Sequence, residues 1–406
     1  MRHVPRPTGR TALAAVLAAL LLAAPAGAYE FGPGVRQAGP EQIVRDWSAD
    51  RCDFDDYPDA PARAFRDAQG QTQLIAGAPA SRRMRGPSLD AVARDCGVIM
   101  RSRMSPDPAA FAQREWLAAT WTRDGRTIDA LVHDEFHGLT TPLGCIALSQ
   151  AGCWYNAVTA ARSVDGGSTY EAAAAPGNLV AAVPWRYVDG TGPYGIFEPS
   201  NIIRARRPGE GVTYFYVLVH VEDYPRPGPI QHVGVCLLRT RELAAPATWR
   251  AWGGKAFDVR FADPYTETPA PAGHACKPVA FDAIEKMNSS LTYNWHLRRY
   301  LVVGMSSRYD GAQHRTVSGF YYATSKDLVS WTPRRLLMEA ALPWTCPTGG
   351  EHQVAYPSLL DPLSPSRNYE TTGARPSLYF TRFNDRCLLA LGADRDLVKI
   401  PIEFAP

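Results

Sequence analysis

The stretch Ser163-Val164-Asp165-Gly166-Gly167-Ser168-Thr169-Tyr170 decides how the chain is read, because its pattern returns. A close copy is Ser325-Lys326-Asp327-Leu328-Val329-Ser330-Trp331. Looser copies run Thr240-Arg241-Glu242-Leu243 towards Trp249, and Ala393-Asp394-Arg395-Asp396-Leu397. An Asp early in such a turn accepts the backbone N–H groups that follow it, and the segment then reverses direction. Each copy follows an apolar run of strand length, at 157–161, 233–238, 319–323 and 388–391. The copies recur at roughly 70–85 residues, too far apart for a hairpin and right for a four-stranded unit with decorated loops.

Between the turns a second pattern repeats. Asp59-Ala60-Pro61-Ala62-Arg63-Ala64-Phe65-Arg66, Phe197-Glu198-Pro199-Ser200-Asn201-Ile202 and Tyr356-Pro357-Ser358-Leu359-Leu360 share a proline followed by small and apolar residues. Glu115-Trp116-Leu117-Ala118 and Asn294-Trp295-His296-Leu297 occupy the matching places in between. A second apolar strand follows each opening, at 73–76, 128–133, 213–220, 299–305 and 377–383. Proline at a strand's first residue removes no ladder bond, so these openings are compatible with strands. Helical periodicity is confined to 87–94 and parts of 29–47. The expectation is an all-β, five-bladed β-propeller of four-stranded antiparallel blades, in preference to a two-sheet sandwich.

Residues 1–28 read as a signal peptide: Arg2, Arg6 and Arg10, then an uncharged Ala/Leu run, then Ala26-Gly27-Ala28 as a cleavage site. The mature chain then begins at Tyr29 and is expected to be secreted or periplasmic. The apolar run is too short for a membrane anchor, so no membrane partner is expected after cleavage. Residues 29–50 form an N-terminal extension and 51–406 a single propeller domain, expected as a monomer. The net charge of +3, with both signs interspersed, leaves no nucleic-acid footprint. Eight cysteines in an oxidising compartment imply disulfides. Sequential pairing (52–96, 145–153, 236–276, 346–387) is the economical choice, since it holds each pair within one unit. No C-x-x-C pair is present, which excludes zinc ribbons and thioredoxin-like redox chemistry.

The turn at 163–170 fits the S-x-D-x-G-x-T-[WY] pattern of the Asp-box, a structural motif of sialidases and other propellers. The turn at 325–331 resembles the S-x-D-L-x-x-W turn of five-bladed glycoside hydrolases, the furanosidase-like propellers of families 43, 32, 62 and 130. The likeness runs from about Asp53 to the C-terminus. It implies a carbohydrate substrate, an oligo- or polysaccharide, and a carboxylate trio at the axial mouth. Cleaving a glycosidic bond needs a protonated acid at the leaving oxygen and an ionised carboxylate on the other face. Glu198, between Phe197 and Pro199, is the candidate acid, because burial beside Phe197 raises a carboxyl's pKa. Asp59 is the candidate base or nucleophile, with Asp55 and Asp56 as rivals. Asp134 is the candidate third acid, tuning and positioning Glu198.

Asp56, Arg63, His137, Asn201, Trp295 and His352 are the expected substrate-binding residues. His133 and His137 flank Asp134-Glu135 in the wrong order for an H-E-x-x-H zinc site, and the local pattern is strand. No cofactor is expected. The resemblance of His352 to an axial histidine of family-43-like enzymes leaves room for a structural channel ion, such as calcium, near it. The loop 222–229 is expected to form a substrate wall. Two alternatives remain open: a non-catalytic carbohydrate-binding propeller, and a sialidase-like enzyme gripping a carboxylate with Arg63, Arg298 and Arg382.

Overall fold

The computed structural model describes residues 1, 29–142, 144–173, 177–223, 231–267, 273–345, 351–385 and 392–405. The signal segment, the pair Cys346 and Cys387, the run 388–391 and most of the loop 222–229 lie outside them. Strands dominate. Trp47–Asp50 and Phe281–Ile284 are the α-helices among the described residues. The expected helical look at 87–94 is overturned: this stretch turns and enters the strand Ala93–Arg101.

Pairing divides the strands into five successive antiparallel groups. The first is a meander of Arg63–Arg66, Thr72–Ile75, Ala80–Gly86 and Ala93–Arg101. The second runs Arg114–Thr122, Ile128–His137, Trp154–Ser163 and then Leu179–Ala181. The third is Tyr194–Pro199 with Ile203–Ala205, followed by Tyr214–Glu222, Gly234–Thr240 and Arg250–Ala251. The fourth is Ser290–Asn294, Arg299–Asp310, Arg315–Ser325 and Arg335–Glu339. The fifth is Val354–Leu360, Ser377–Phe383 and Arg395–Phe404. Its outer edge comes from the other end of the chain, as Val35–Gln37 and Gln42–Arg45 pair with Arg395–Phe404. Glu30–Phe31 covers the outer edge of the fourth group. The N-terminal extension is therefore woven into two groups. Two short parallel contacts depart from separate units: Tyr155 with Tyr194 and Asn156 with Gly195 join the second and third groups into one ten-stranded sheet, and Thr371–Thr372, between strands of the fifth group, pairs with Tyr293 and Asn294 of the fourth.

Apolar layers link the groups in cyclic order. Phe65 and Ile75 of the first pack with Leu117 and Val132 of the second. Leu131 and Val158 of the second pack with Val217 and Leu238 of the third. Leu218 and Leu237 face Leu291 and Val302, Leu301 and Phe320 face Leu378 and Phe380, and Tyr379 and Leu397 return to Leu74 and Met84 of the first. Fully burying each such side chain contributes about 1.5–3 kcal/mol. Strands covered on both faces lose the clean apolar–polar alternation, which later matters for Asp134 and Glu135.

The repeated turns are built alike. Asp165 Oδ1 accepts the N–H groups of Ser168 and Thr169, both at 3.0 Å, and Gly167 N donates to Ser163 Oγ at 2.8 Å. These bonds outweigh the cost of partial burial and pull the Asp165 carboxyl down to about 2. Asp327 Oδ1 accepts from Val329 and Ser330 at 2.9 and 2.7 Å, and Leu328 takes φ 66° at the bend. The stretch at 393–397 differs: Asp394 binds Asn384, and the strand begins at Arg395.

Arg63 lies where the five groups meet. Its Nε donates to Ala118 O at 2.8 Å, and its Nη2 to Pro199 O at 3.1 Å and Ser289 O at 2.9 Å. Nη1 reaches Ser358 Oγ at 3.5 Å. One buried guanidinium of the first group thus touches the second, third, fourth and fifth. The disulfides Cys52–Cys96, Cys145–Cys153 and Cys236–Cys276 form as expected, with Cα–Cα separations of 5.6, 6.0 and 6.1 Å.

Candidate active site

Asp59 precedes the first inner strand and is held by its backbone, Asp59 N to Gly77 O at 2.9 Å. Its Oδ1 accepts from the Tyr356 hydroxyl at 3.0 Å and is ion-paired with Arg395. Glu198 and Tyr356 arrive on bulges. The register of the third group slips between Ile196 and Pro199, and that of the fifth between Ala355 and Ser358. A bulge re-aims the side chain it carries and tolerates proline. Pro199 and Pro357 therefore occupy irregularities inside or at the end of their strands, not first residues as the sequence suggested. Tyr356 takes φ 58°, a conformation non-glycine residues adopt only under constraint.

Glu198 is half-buried, and its Oε1 has no hydrogen-bond partner among the described residues. Its main-chain oxygen is fixed by Asn288 Nδ2 at 2.6 Å. Desolvation is the main cause lifting its carboxyl to about 8; the charges of Asp59 and Glu135 add to the rise, and Arg63 opposes it. Burial is also the chief reason the Asp59 carboxyl is raised, with Arg395 and Tyr356 pulling the other way.

The acid whose charge is felt at Glu198, and which feels that of Asp59, is Glu135; Asp134, the sequence candidate, faces away. Successive side chains of a strand point to opposite faces. In Ile128–His137 this puts His133, Glu135 and His137 together, and turns Asp134 towards the Gln113 backbone N–H at 2.8 Å. Glu135 Oε2 lies 2.9 Å from His137 Nε2, and Oε1 lies 3.7 Å from His133 Nδ1. Burial raises Glu135 to about 7; the nearby His133 works against the shift and Asp59 adds to it. His133 Nε2 faces Asn156 Oδ1 at 2.9 Å, and Asn156 Nδ2 donates to Tyr194 O at 2.9 Å. With that amide orientation Oδ1 is the acceptor, so His133 carries its proton on Nε2 and presents a bare Nδ1 to Glu135. His137 stacks on Trp154 with ring centres 5.2 Å apart, and burial depresses its pKa to about 3. Phe197 stacks on His220 at 5.1 Å beside the acids.

No protein family model matches the chain, and no curated protein sequence matches it. Solved structures similar to it include an α-L-arabinanase of Cellvibrio cellulosa complexed with arabinohexaose, at 9% identity and TM-score 0.41, covering 80% of this chain and 86% of that one. A GH62 hydrolase in complex with xylotriose is similar at 8% identity and TM-score 0.44, over 86% and 93% of the two chains. An endo-arabinase from Bacteroides thetaiotaomicron is similar at 9% identity and TM-score 0.43, over 89% and 97%. At TM-scores below 0.5 these likenesses carry nothing about this chain's chemistry.

Of the other expected site residues Arg63 adjoins Glu198 through Pro199, and the rest stand elsewhere. Asp56 is 1% exposed and bound by Arg45 at 3.1 Å, by Arg94 and by Cys52 N at 3.0 Å; its carboxyl is lowered by these partners despite burial. It anchors the N-terminal extension. Asp55 is exposed, which leaves Asp59 as the carboxylate of the first group that joins the cluster. Arg63 is committed to the backbone oxygens described above. Asn201 exchanges two hydrogen bonds with Leu291, at 2.5 and 2.7 Å, and staples the third group to the fourth. Trp295 follows the end of Ser290–Asn294 and does not open a strand. His352 gives Nδ1 to Phe383 O at 2.9 Å. Among the described residues, the one trio of His, Cys or carboxylate ligand atoms close to one another is Cys145, Cys153 and Asp189, whose two sulfurs form a disulfide; it does not include His352. The three arginines of the sialidase-like alternative do not converge, since Arg382 pairs with Glu41 and Asp396 and Arg298 lines a cavity away from the acids.

Proposed function

We propose that this chain is an exported, five-bladed β-propeller glycoside hydrolase whose acids are Glu198, Asp59 and Glu135. The cyclic order of apolar layers and the N-terminal strands on the fifth group support the closed, five-bladed reading. Export is supported by the leader-like residues 1–28 and by three disulfides.

The observation that carries the chemistry is Glu198. A carboxyl near 8 is protonated at neutral pH, and its Oε1 has no hydrogen-bond partner among the described residues. It is thereby poised to protonate a leaving glycosidic oxygen. Asp59, gripped by Arg395 and Tyr356, is the carboxylate on the other side, acting as base or as nucleophile. Glu135 raises Glu198 through its charge, the role first assigned to Asp134. His137 orients Glu135 through the contact at 2.9 Å.

The substrate is an oligo- or polysaccharide entering at this cluster. The deciding experiment is Glu198→Gln assayed on a panel of aryl furanosides, aryl pyranosides and polysaccharides. Loss of hydrolysis by about 10²–10⁴-fold with an unchanged circular dichroism spectrum is expected. A variant that stays active overturns the assignment.

A further inference from the structure

A sizeable cavity lies away from the acids. It holds about 590 Å³, and none of Asp59, Glu135 or Glu198 lines it. Its position follows from strand register. Pro199, next to Glu198, pairs with Val219, whereas Ala205 of the cavity wall pairs with Tyr214, five residues along the same strand. That is roughly 17 Å, beyond the reach of one sugar ring held at Glu198.

Trp295 is the ridge of this face. It is 59% exposed and lines both this cavity and a neighbouring one of about 290 Å³. Tyr293 braces it edge-on, with ring centres 4.7 Å apart at 76°. A large aromatic ring held rigidly in solvent between two hollows offers a stacking surface with a site on either side.

The charge on the wall is unbalanced. Arg204, Arg206, Arg298 and Lys326 line the larger cavity, are exposed, and have no carboxylate within ion-pair distance among the described residues. The two acids there are already committed. Glu210 is bound by Arg239 and by the Tyr216 hydroxyl at 2.5 Å. Glu370 accepts from Arg204 N at 2.7 Å, Ser366 Oγ at 3.1 Å and Trp121 Nε1 at 3.4 Å. Arg206, Arg298 and Lys326, with no acidic partner among the described residues, and Arg204, which shares only Glu370, surround an aromatic ridge and suit a ligand with ring faces to stack and carboxylates to pair.

We infer that this face is a second carbohydrate site, one that binds an acidic, uronate-bearing oligosaccharide across Trp295. The cations edge a concave pocket and do not form a stripe along a surface, and the whole chain carries only +3, which disfavours a nucleic acid. The inference does not depend on hydrolysis at Glu198.

The test is calorimetric titration of the full chain carrying Glu198→Gln with oligogalacturonate, with a neutral galacto-oligosaccharide of equal length, and with a single-stranded oligonucleotide. Oligogalacturonate is expected to bind at least tenfold more tightly than either, and less tightly as salt rises. Trp295→Ala, and separately Arg204→Ala with Arg206→Ala, should each weaken it at least tenfold, while Trp295→Phe keeps most of the affinity. In the otherwise native chain Trp295→Ala should leave hydrolysis of a short aryl glycoside unchanged. Binding indifferent to Trp295→Ala, or equal binding of the neutral sugar or the oligonucleotide, overturns the proposal. Failure of the Glu198 assignment would leave these binding results untouched.

Discussion

The Tyr356 hydroxyl donates to Asp59 Oδ1 at 3.0 Å across 297 residues of chain, on the same oxygen that Arg395 pairs with. Two residues of the last strand group thus hold the carboxylate that precedes the first. Both partners favour the ionised form of an acid that burial otherwise raises. Tyr356→Phe removes one of them, so the Asp59 pKa should rise. The acidic limb of the kcat/KM profile against pH is expected to move to higher pH, with kcat reduced. An acidic limb that stays in place would show that the hydroxyl does not tune Asp59.

Glu135 and Asp134 are adjacent in sequence and should behave differently. The charge of Glu135 helps to keep Glu198 near 8. Since Glu135 titrates at about 7, it is ionised where Glu198 loses its proton. Glu135→Gln removes that charge, so the alkaline limb of kcat/KM should shift to lower pH. Asp134→Asn retains an oxygen for the Gln113 N–H and should leave the limb where it is. Profiles of the two variants, measured side by side, check this.

These acids also show what the sequence could and could not reveal. The turns at 163–170 and 325–331 were legible because the bonds that Asp165 and Asp327 accept are local; an Asp, its following N–H groups and an aromatic residue lie within eight positions. Glu198 was legible as a lone acid in an apolar stretch. The choice between Asp134 and Glu135 was not, because Ile128–His137 is covered on both faces and apolar residues cannot reveal its phase. Asp59 could not be separated from Asp55 and Asp56 without Arg395, 336 residues away. Arg63 was read as a ligand for substrate because nothing local announces that four distant backbone or hydroxyl oxygens converge on it.

Arg63 should matter for stability before it matters for substrate. Its removal strands the buried oxygens of Ala118, Pro199 and Ser289, and an unsatisfied buried group costs about 1–3 kcal/mol. Arg63→Met is expected to lower unfolding free energy by about 1–3 kcal/mol, on the order of the cost of stranding a buried acceptor. Urea denaturation measures the loss. A variant as stable as the native chain, with only KM raised, would return Arg63 to the substrate-binding role.

The raised carboxyl of Glu198 has a signature in stability as well as in rate. A carboxyl that moves from 4.5 towards about 8 on folding binds its proton more tightly in the native state. Between these values the folded chain holds the proton and the unfolded chain does not. Stability therefore falls as pH rises through this window, and the stabilisation is fully present only below the unfolded value. Glu198→Gln keeps the shape and removes the titration. Its melting temperature relative to the native chain should therefore climb as pH rises from 5 to 9, opposite in sense to its loss of activity. Thermal melts of both proteins at matched ionic strength check this, and a difference in melting temperature that is flat with pH would place Glu198 at an ordinary carboxyl pKa and remove it as the acid.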